Sequence, residues 1–105
     1  VWTGDVEAGN DIPSKTFLGF NSPNPIVSQT TIKFALRKDT NVAIDIYNTK
    51  GQKVRTLVND KMEAGNHSVI WNAKDNSGKK VSSGIYFYKM KAGKYTATKK
   101  MILMK

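Results

Sequence analysis

The sequence predicts an all-β fold in which two antiparallel sheets lie face to face. Three observations carry that prediction. Apolar and polar residues alternate at period two in short runs that recur along most of the chain. Clusters of Gly, Pro, Asn and Asp separate those runs, mostly at intervals of about eight to twelve residues. No stretch carries apolar residues at the spacing of an amphipathic helix over three turns.

The first strand is "TFLGF", Thr16 to Phe20. "SPNPIVSQ" follows, where Pro23 and Pro25 fix two φ angles and withhold two ladder donors, so it reads as a connection. "TTIKFAL" then sets Ile32, Phe34 and Leu36 against Thr31, Lys33 and Ala35. "NVAIDIYN" repeats the pattern with Val42, Ile44 and Ile46 inward and Ala43, Asp45 and Tyr47 outward. In "YNTKGQ", Gly51 stands where a type I turn leads into a left-handed residue, so the third and fourth strands form a hairpin. "KVRTLV" is less regular: Val54 and Leu57 share a face only if the strand bulges, which suggests a bent edge strand.

After a turn at "EAGN", the fifth strand "NHSVIWNA" places His67, Val69 and Trp71 opposite Ser68, Ile70 and Asn72. The turn formers of "KDNSGKKVSSG" make a longer loop. "GIYFYKMK" is apolar on both faces at its start, as a central strand is. Gly93 in "MKAGKY" turns the chain into the last strand, "KYTATKKMILM". Seven short strands in this rhythm are the profile of an immunoglobulin-like β-sandwich of about seven antiparallel strands. Its expected core is Phe34, Leu36, Ile44, Ile46, Val69, Trp71 and part of the last two strands.

With 105 residues the chain fits one domain with one modest core. Residues 1–15 fall outside the rhythm and are expected to be a linker or the tail of an upstream domain, leaving residues 16–105 as the sandwich. Trp2 could still dock on it, and Val1 to Val6 could add an edge strand. The chain opens on Val1 with no initiator Met, which suggests a processed protein or a piece of a longer one. Its final residues form a hydrophobic, lysine-flanked strand, where most domains let the last residues fray.

Composition excludes several chemistries. There is no Cys, hence no disulfide and no thiolate site. No run of eighteen apolar residues is present, so no membrane span is expected. The net charge of +9 is uneven, because no acid follows Asp75 while Lys79, Lys80, Lys89, Lys91, Lys94, Lys99, Lys100 and Lys105 do. A basic half can meet an anionic surface, nucleic acid or an acidic partner. Lysine on a solvated strand face also blunts sheet edges, and with Arg nearly absent that is the preferred reading.

Catalytic constellations are missing as well. His67 is the lone histidine, and its neighbour Ser68 points to the opposite face, so the two cannot act as base and nucleophile. Asp39, Asp45, Asp60, Glu63 and Asp75 are scattered over turns and a solvent face. "KDNSGKK" lacks the alternating ligands and closing Glu of a calcium loop, and Asx-turn chemistry accounts for Asp75, Asn76 and Gly78. No cofactor, metal or catalytic residue is assigned. An exposed row drawn from Tyr86, Phe87, Tyr88 and Tyr95 would suit sugar stacking and a carbohydrate-binding role. Alternation requires that either the Tyr86–Tyr88 set or Phe87 be core.

Together "NSPNPIVSQTTIKFAL", "VAIDIYNTKGQKVRTLV" and "AGNHSVIWNAKDNSGKKVSSGIYFYKMKAGKYTATKKMILMK" resemble the C-terminal sorting domain of proteins exported by the type IX (Por) secretion system. They are similar also to the immunoglobulin-like domain of flagellar hook-capping proteins, which shares the "W…D…G…SGIYFY" pattern. The likeness runs from Phe17 to Lys105, with one departure at Ile26, where the sorting family usually has Phe. It implies a non-catalytic, monomeric module at the end of a larger secreted or cell-surface bacterial protein. It implies recognition by outer-membrane type IX secretion machinery, an upstream domain in the same polypeptide, and no nucleic-acid partner. The hook-capping likeness implies an assembly module instead. The export-signal candidates that the resemblance supplies are Lys99, Lys100, Met101, Ile102, Leu103, Met104 and Lys105.

Overall fold

Each alternating run becomes a strand. The protein is described here by a computed structural model covering residues 12–104, so Lys105 and the suggested roles of Trp2 and Val1 to Val6 lie outside the described residues. The strands are β1 (Phe17–Ser22), β2 (Thr30–Leu36), β3 (Thr40–Tyr47), β4 (Lys53–Met62), β5 (Gly65–Trp71), β6 (Gly84–Ala92) and β7 (Tyr95–Leu103). No helix occurs among the described residues. A three-stranded sheet has the order β1-β2-β5, a four-stranded sheet has the order β4-β3-β6-β7, and all strand pairs are antiparallel.

The tight β3–β4 turn determines this division. Asn48 Oδ1 accepts from the N–H groups of Lys50 and Gln52, each at 3.0 Å, and Gly51 takes the predicted left-handed conformation with φ 81°. So short a connection keeps β4 beside β3, at the edge. Register slips between Ile44/Asp45 and between Ile46/Tyr47 leave Leu57 and Val54 as extra residues on β4, the bulging that its sequence requires. The strand continues to Met62, four residues past the apolar run "KVRTLV". Polar Asn59, Asp60 and Lys61 carry it on, because an edge strand with little to bury still completes its ladder with β3.

Between the sheets, Phe34, Leu36, Ile44, Ile46 and Trp71 are buried as expected, joined by Ile32, Val42, Tyr86, Tyr88, Met90, Met101 and Leu103. Val69 is only half-buried because β5 is itself an edge strand. Ala35 faces outward yet is buried, between Phe17 and Asn66 on the flanking strands. The polar ends of the large rings all find partners. Trp71 Nε1 donates to the Lys74 carbonyl at 2.9 Å, Tyr86 Oη to Ser82 O at 2.6 Å and Tyr88 Oη to Gly19 O at 2.8 Å. Gly19 sits in the irregular stretch of β1, where a Cβ would meet Lys33 O at 2.9 Å.

Candidate functional site

β7 carries the export-signal candidates Lys99 to Leu103, Met104 follows it, and the pleat divides them. It pairs with β6 through Gly84↔Leu103, Ile85↔Ile102, Tyr86↔Met101, Phe87↔Lys100 and Tyr88↔Lys99. Met101 and Leu103 point inward and are buried completely, as core side chains. Lys99 lies on the same side but at the rim, with Nζ 4.2 Å from the centroid of the Phe20 ring. Lys100, Ile102 and Met104 alternate with these and face solvent. The candidate segment is thus half core and half surface.

The "SPNP" connection reaches across to the outer edge of β7. Asn24 Oδ1 accepts from Ile102 N–H at 3.0 Å. Ile26 N–H donates to Ile102 O and Met104 N–H donates to Ile26 O, both at 2.7 Å. Ile26 is fully buried, so the position where the sorting family usually has Phe keeps an apolar anchor here. Thr30 Oγ1 and Asn21 Nδ2 hold Pro23 O at 3.0 and 3.3 Å, fixing the segment from beneath. The Ser22–Pro23 and Asn24–Pro25 peptide bonds are both cis.

A matching plug covers β4, at the other edge of the same sheet. Asn76 N–H donates to Val54 O at 3.1 Å, and Asn76 Oδ1 accepts from Thr56 N–H at 3.0 Å. An asparagine thereby supplies the donor and acceptor that a neighbouring strand would present. Its neighbour Asp75 organises the loop, with Oδ1 accepting from Ser77 Oγ at 2.7 Å, Ser77 N–H at 2.9 Å and Lys79 N–H at 3.0 Å. The Ser77 hydroxyl and Lys79 N–H hold this carboxyl below its ordinary pKa. Sequence reading gave Asn76 only a turn role and "SPNP" only a connecting one. The available signals were an Asn between two prolines and the apolar pair Ile26 and Val27 in a loop otherwise of polar residues and prolines.

No catalytic geometry assembles among the described residues. His67 stacks on Phe34 with ring centroids 5.3 Å apart, and its Nε2 lies 2.7 Å from Glu63 O. Ser68 faces the opposite side, exposed. A polar cleft of about 820 Å³ between the β3–β4 turn and the β5–β6 loop contains the carboxylate of Asp75, already engaged in its own turn. No group of three His, Cys, Asp or Glu that could hold a metal ion occurs among the described residues. Tyr86 and Tyr88 are core, Phe87 is half-buried on the outer face, and the Tyr95 hydroxyl accepts from Leu18 N–H at 3.1 Å. These residues do not form the solvent-facing aromatic row that sugar stacking needs. On the outer face of β6 and β7, Lys89, Lys91 and Lys100 are exposed.

The family model of the FlgD Ig-like domain matches residues 25–96. No curated protein sequence matches the chain. Among solved structures, dimeric latent PorU from Porphyromonas gingivalis is similar with a TM-score of 0.70 at 21% identity, over 90% of this chain and 10% of that one. PorZ, described as an essential bacterial surface component of the type-IX secretion system of the same organism, gives 0.58 at 20% identity, over 93% and 12%. FlgD from P. aeruginosa gives 0.57 at 20% identity, over 87% and 72%. The likeness to these structures is one of fold, and the chain spans about a tenth of the PorU and PorZ chains.

Proposed function

The chain belongs to the FlgD Ig-like domain family, and on that premise we propose that it is a type IX secretion sorting and surface-targeting module. Residues 16–105 are the sorting domain, and residues 1–15 link it to an upstream domain of a larger secreted bacterial protein. The module is non-catalytic and monomeric, and its partner is the outer-membrane export machinery. The observation that carries this reading is the division of β7: Met101 and Leu103 anchor the strand in the core while Lys100, Ile102 and Met104 remain presented. Such a strand is held in one shape and can still be read. The fold shared with PorU, and with PorZ of the type-IX system, supports the same role.

Fusion of residues 16–105 to a reporter in a type IX-competent bacterium tests the role. Surface delivery is expected with the domain, and retention without it. Equal delivery after removal of Lys99 to Lys105 would contradict it. A second reading, an assembly module of the hook-capping kind, is favoured by the family match and by FlgD itself. It predicts concentration-dependent self-association in sedimentation, where the sorting reading predicts a monomer.

A further inference from the structure

We propose, building on the sorting role above, that the partner reads the outer face of β6 and β7 and not the edge of β7. The surface it brings is a protein patch with an apolar centre and a carboxylate rim.

Backbone geometry closes the edge at the C-terminal end of β7, within the candidate segment. Ile102 directs its N–H and C=O away from β6, towards Asn24 and Ile26. In an antiparallel ladder, residues of the same parity point the same way, so Lys100 also faces the edge. From Lys99 to Met104, the outward groups Ile102 N–H, Ile102 C=O and Met104 N–H are therefore already bonded within the molecule. Among the candidates Lys100 alone is left with an outward N–H and C=O pair, in line with Thr96 and Thr98 before it. An added strand needs a run of such residues, so it could pair only with Thr96 to Lys100 and not with the candidate segment beyond. The inner face is equally closed, because Met101 and Leu103 are core.

The outer face is open. Ile85 and Ile102, paired across the two strands, are 41% and 38% exposed, and Met104 beyond them is 56% exposed. Phe87, half-buried, continues the patch between Tyr47 and Lys100. Clustered exposed apolar side chains of this kind mark contact surfaces, whereas scattered ones do not. Lys89 and Lys100 border the patch, and Lys91 lies beyond Lys89 on the same face. The only acid on β3, β6 or β7 is Asp45, which is occupied by Lys53 Nζ at 3.7 Å and Thr56 Oγ1 at 2.9 Å. The rim is therefore cationic, and its complement is carboxylate. A protein fits better than a lipid surface, because interfacial insertion takes apolar side chains about 5–10 Å into the membrane. Ile85 and Ile102, at 41% and 38% exposed, keep more than half of their surface against the molecule.

The test uses the full chain fused to a reporter in a type IX-competent host, with thermal unfolding confirming that each variant folds. The double variant Ile85→Ser/Ile102→Ser and the single variant Lys100→Glu should each reduce surface delivery on the order of tenfold, as loss of a central contact does. Lys100→Arg should restore it. Thr98→Pro, which removes an outward edge N–H without touching the β6 ladder, should leave delivery within about twofold of the parent. Lost delivery in Thr98→Pro together with normal delivery in the face variants overturns the proposal and leaves the sorting role intact. A parent fusion that never reaches the surface overturns both. At an ionic strength that screens its net charge of +9, purified chain should not co-sediment with vesicles of phosphatidylcholine and phosphatidylglycerol. Co-sedimentation abolished by Ile85→Ser/Ile102→Ser would assign the face to lipid and overturn the protein partner.

Discussion

Trp71, Tyr88 and Asp75 show what single side chains contribute. Trp71 is fully buried, meets Tyr86 edge-on with centroids 5.4 Å apart and donates to Lys74 O. Trp71→Ala should cost roughly 3–5 kcal/mol in urea denaturation, a large share of the ~5–15 kcal/mol of a typical domain. For Tyr88, burial pushes the phenol up to about 12, against a weaker opposing pull from the Asn21 backbone. A folded pKa above the unfolded value of 10.0 means that this contribution to stability is complete below pH 10 and is lost as pH rises towards 12. Denaturation midpoints measured across that window should fall less steeply in Tyr88→Phe than in the parent. Asp75 behaves oppositely: its lowered pKa contributes stability above the unfolded value of 3.8, and that contribution disappears on acidification. Inward positions were legible residue by residue, since Ile44, Ile46 and Trp71 follow from period two alone. The role of Gly19 was not, because it depends on Lys33 O, fourteen residues away across the β1–β2 pair.

At the level of elements, the strands were legible and their edges were not. Alternation together with the turn signals between runs located the seven strands, and the spacing of Val54 and Leu57 required the bulges found in β4. What covers an edge is decided by partners distant in sequence. Asn24 and Ile102 are 78 positions apart, and Asn76 and Thr56 are 20 apart. No local pattern encodes such contacts. Replacing Asn76 by Ala removes the acceptor for Thr56 N–H and should lower stability by about 1 kcal/mol, measured by thermal or urea unfolding. It should also raise the tendency of β4 to pair with other chains at high concentration. An unchanged midpoint would mean that water replaces the plug without loss.

Across the whole molecule, the sandwich brings the two plugs and the β6–β7 face onto one four-stranded sheet. With the edge closed beside Ile102 and Met104, side chains on the face are the readable chemistry of the candidate segment, and this is what connects the fold to the proposed sorting role. Of the candidate segment, Lys99 to Leu103 was legible as a strand, and only resemblance suggested it as a signal. Its partition into core anchors and presented residues became visible only with the register against β6. Amide hydrogen exchange, read by NMR on the folded chain, tests the central claim most directly. Ile102 and Met104 amides, held by Asn24 Oδ1 and Ile26 O, should exchange as slowly as the β6 ladder, and the Lys100 amide should exchange far faster. Ile102 and Met104 exchanging as fast as Lys100 would show the edge of β7 to be open and contradict the account.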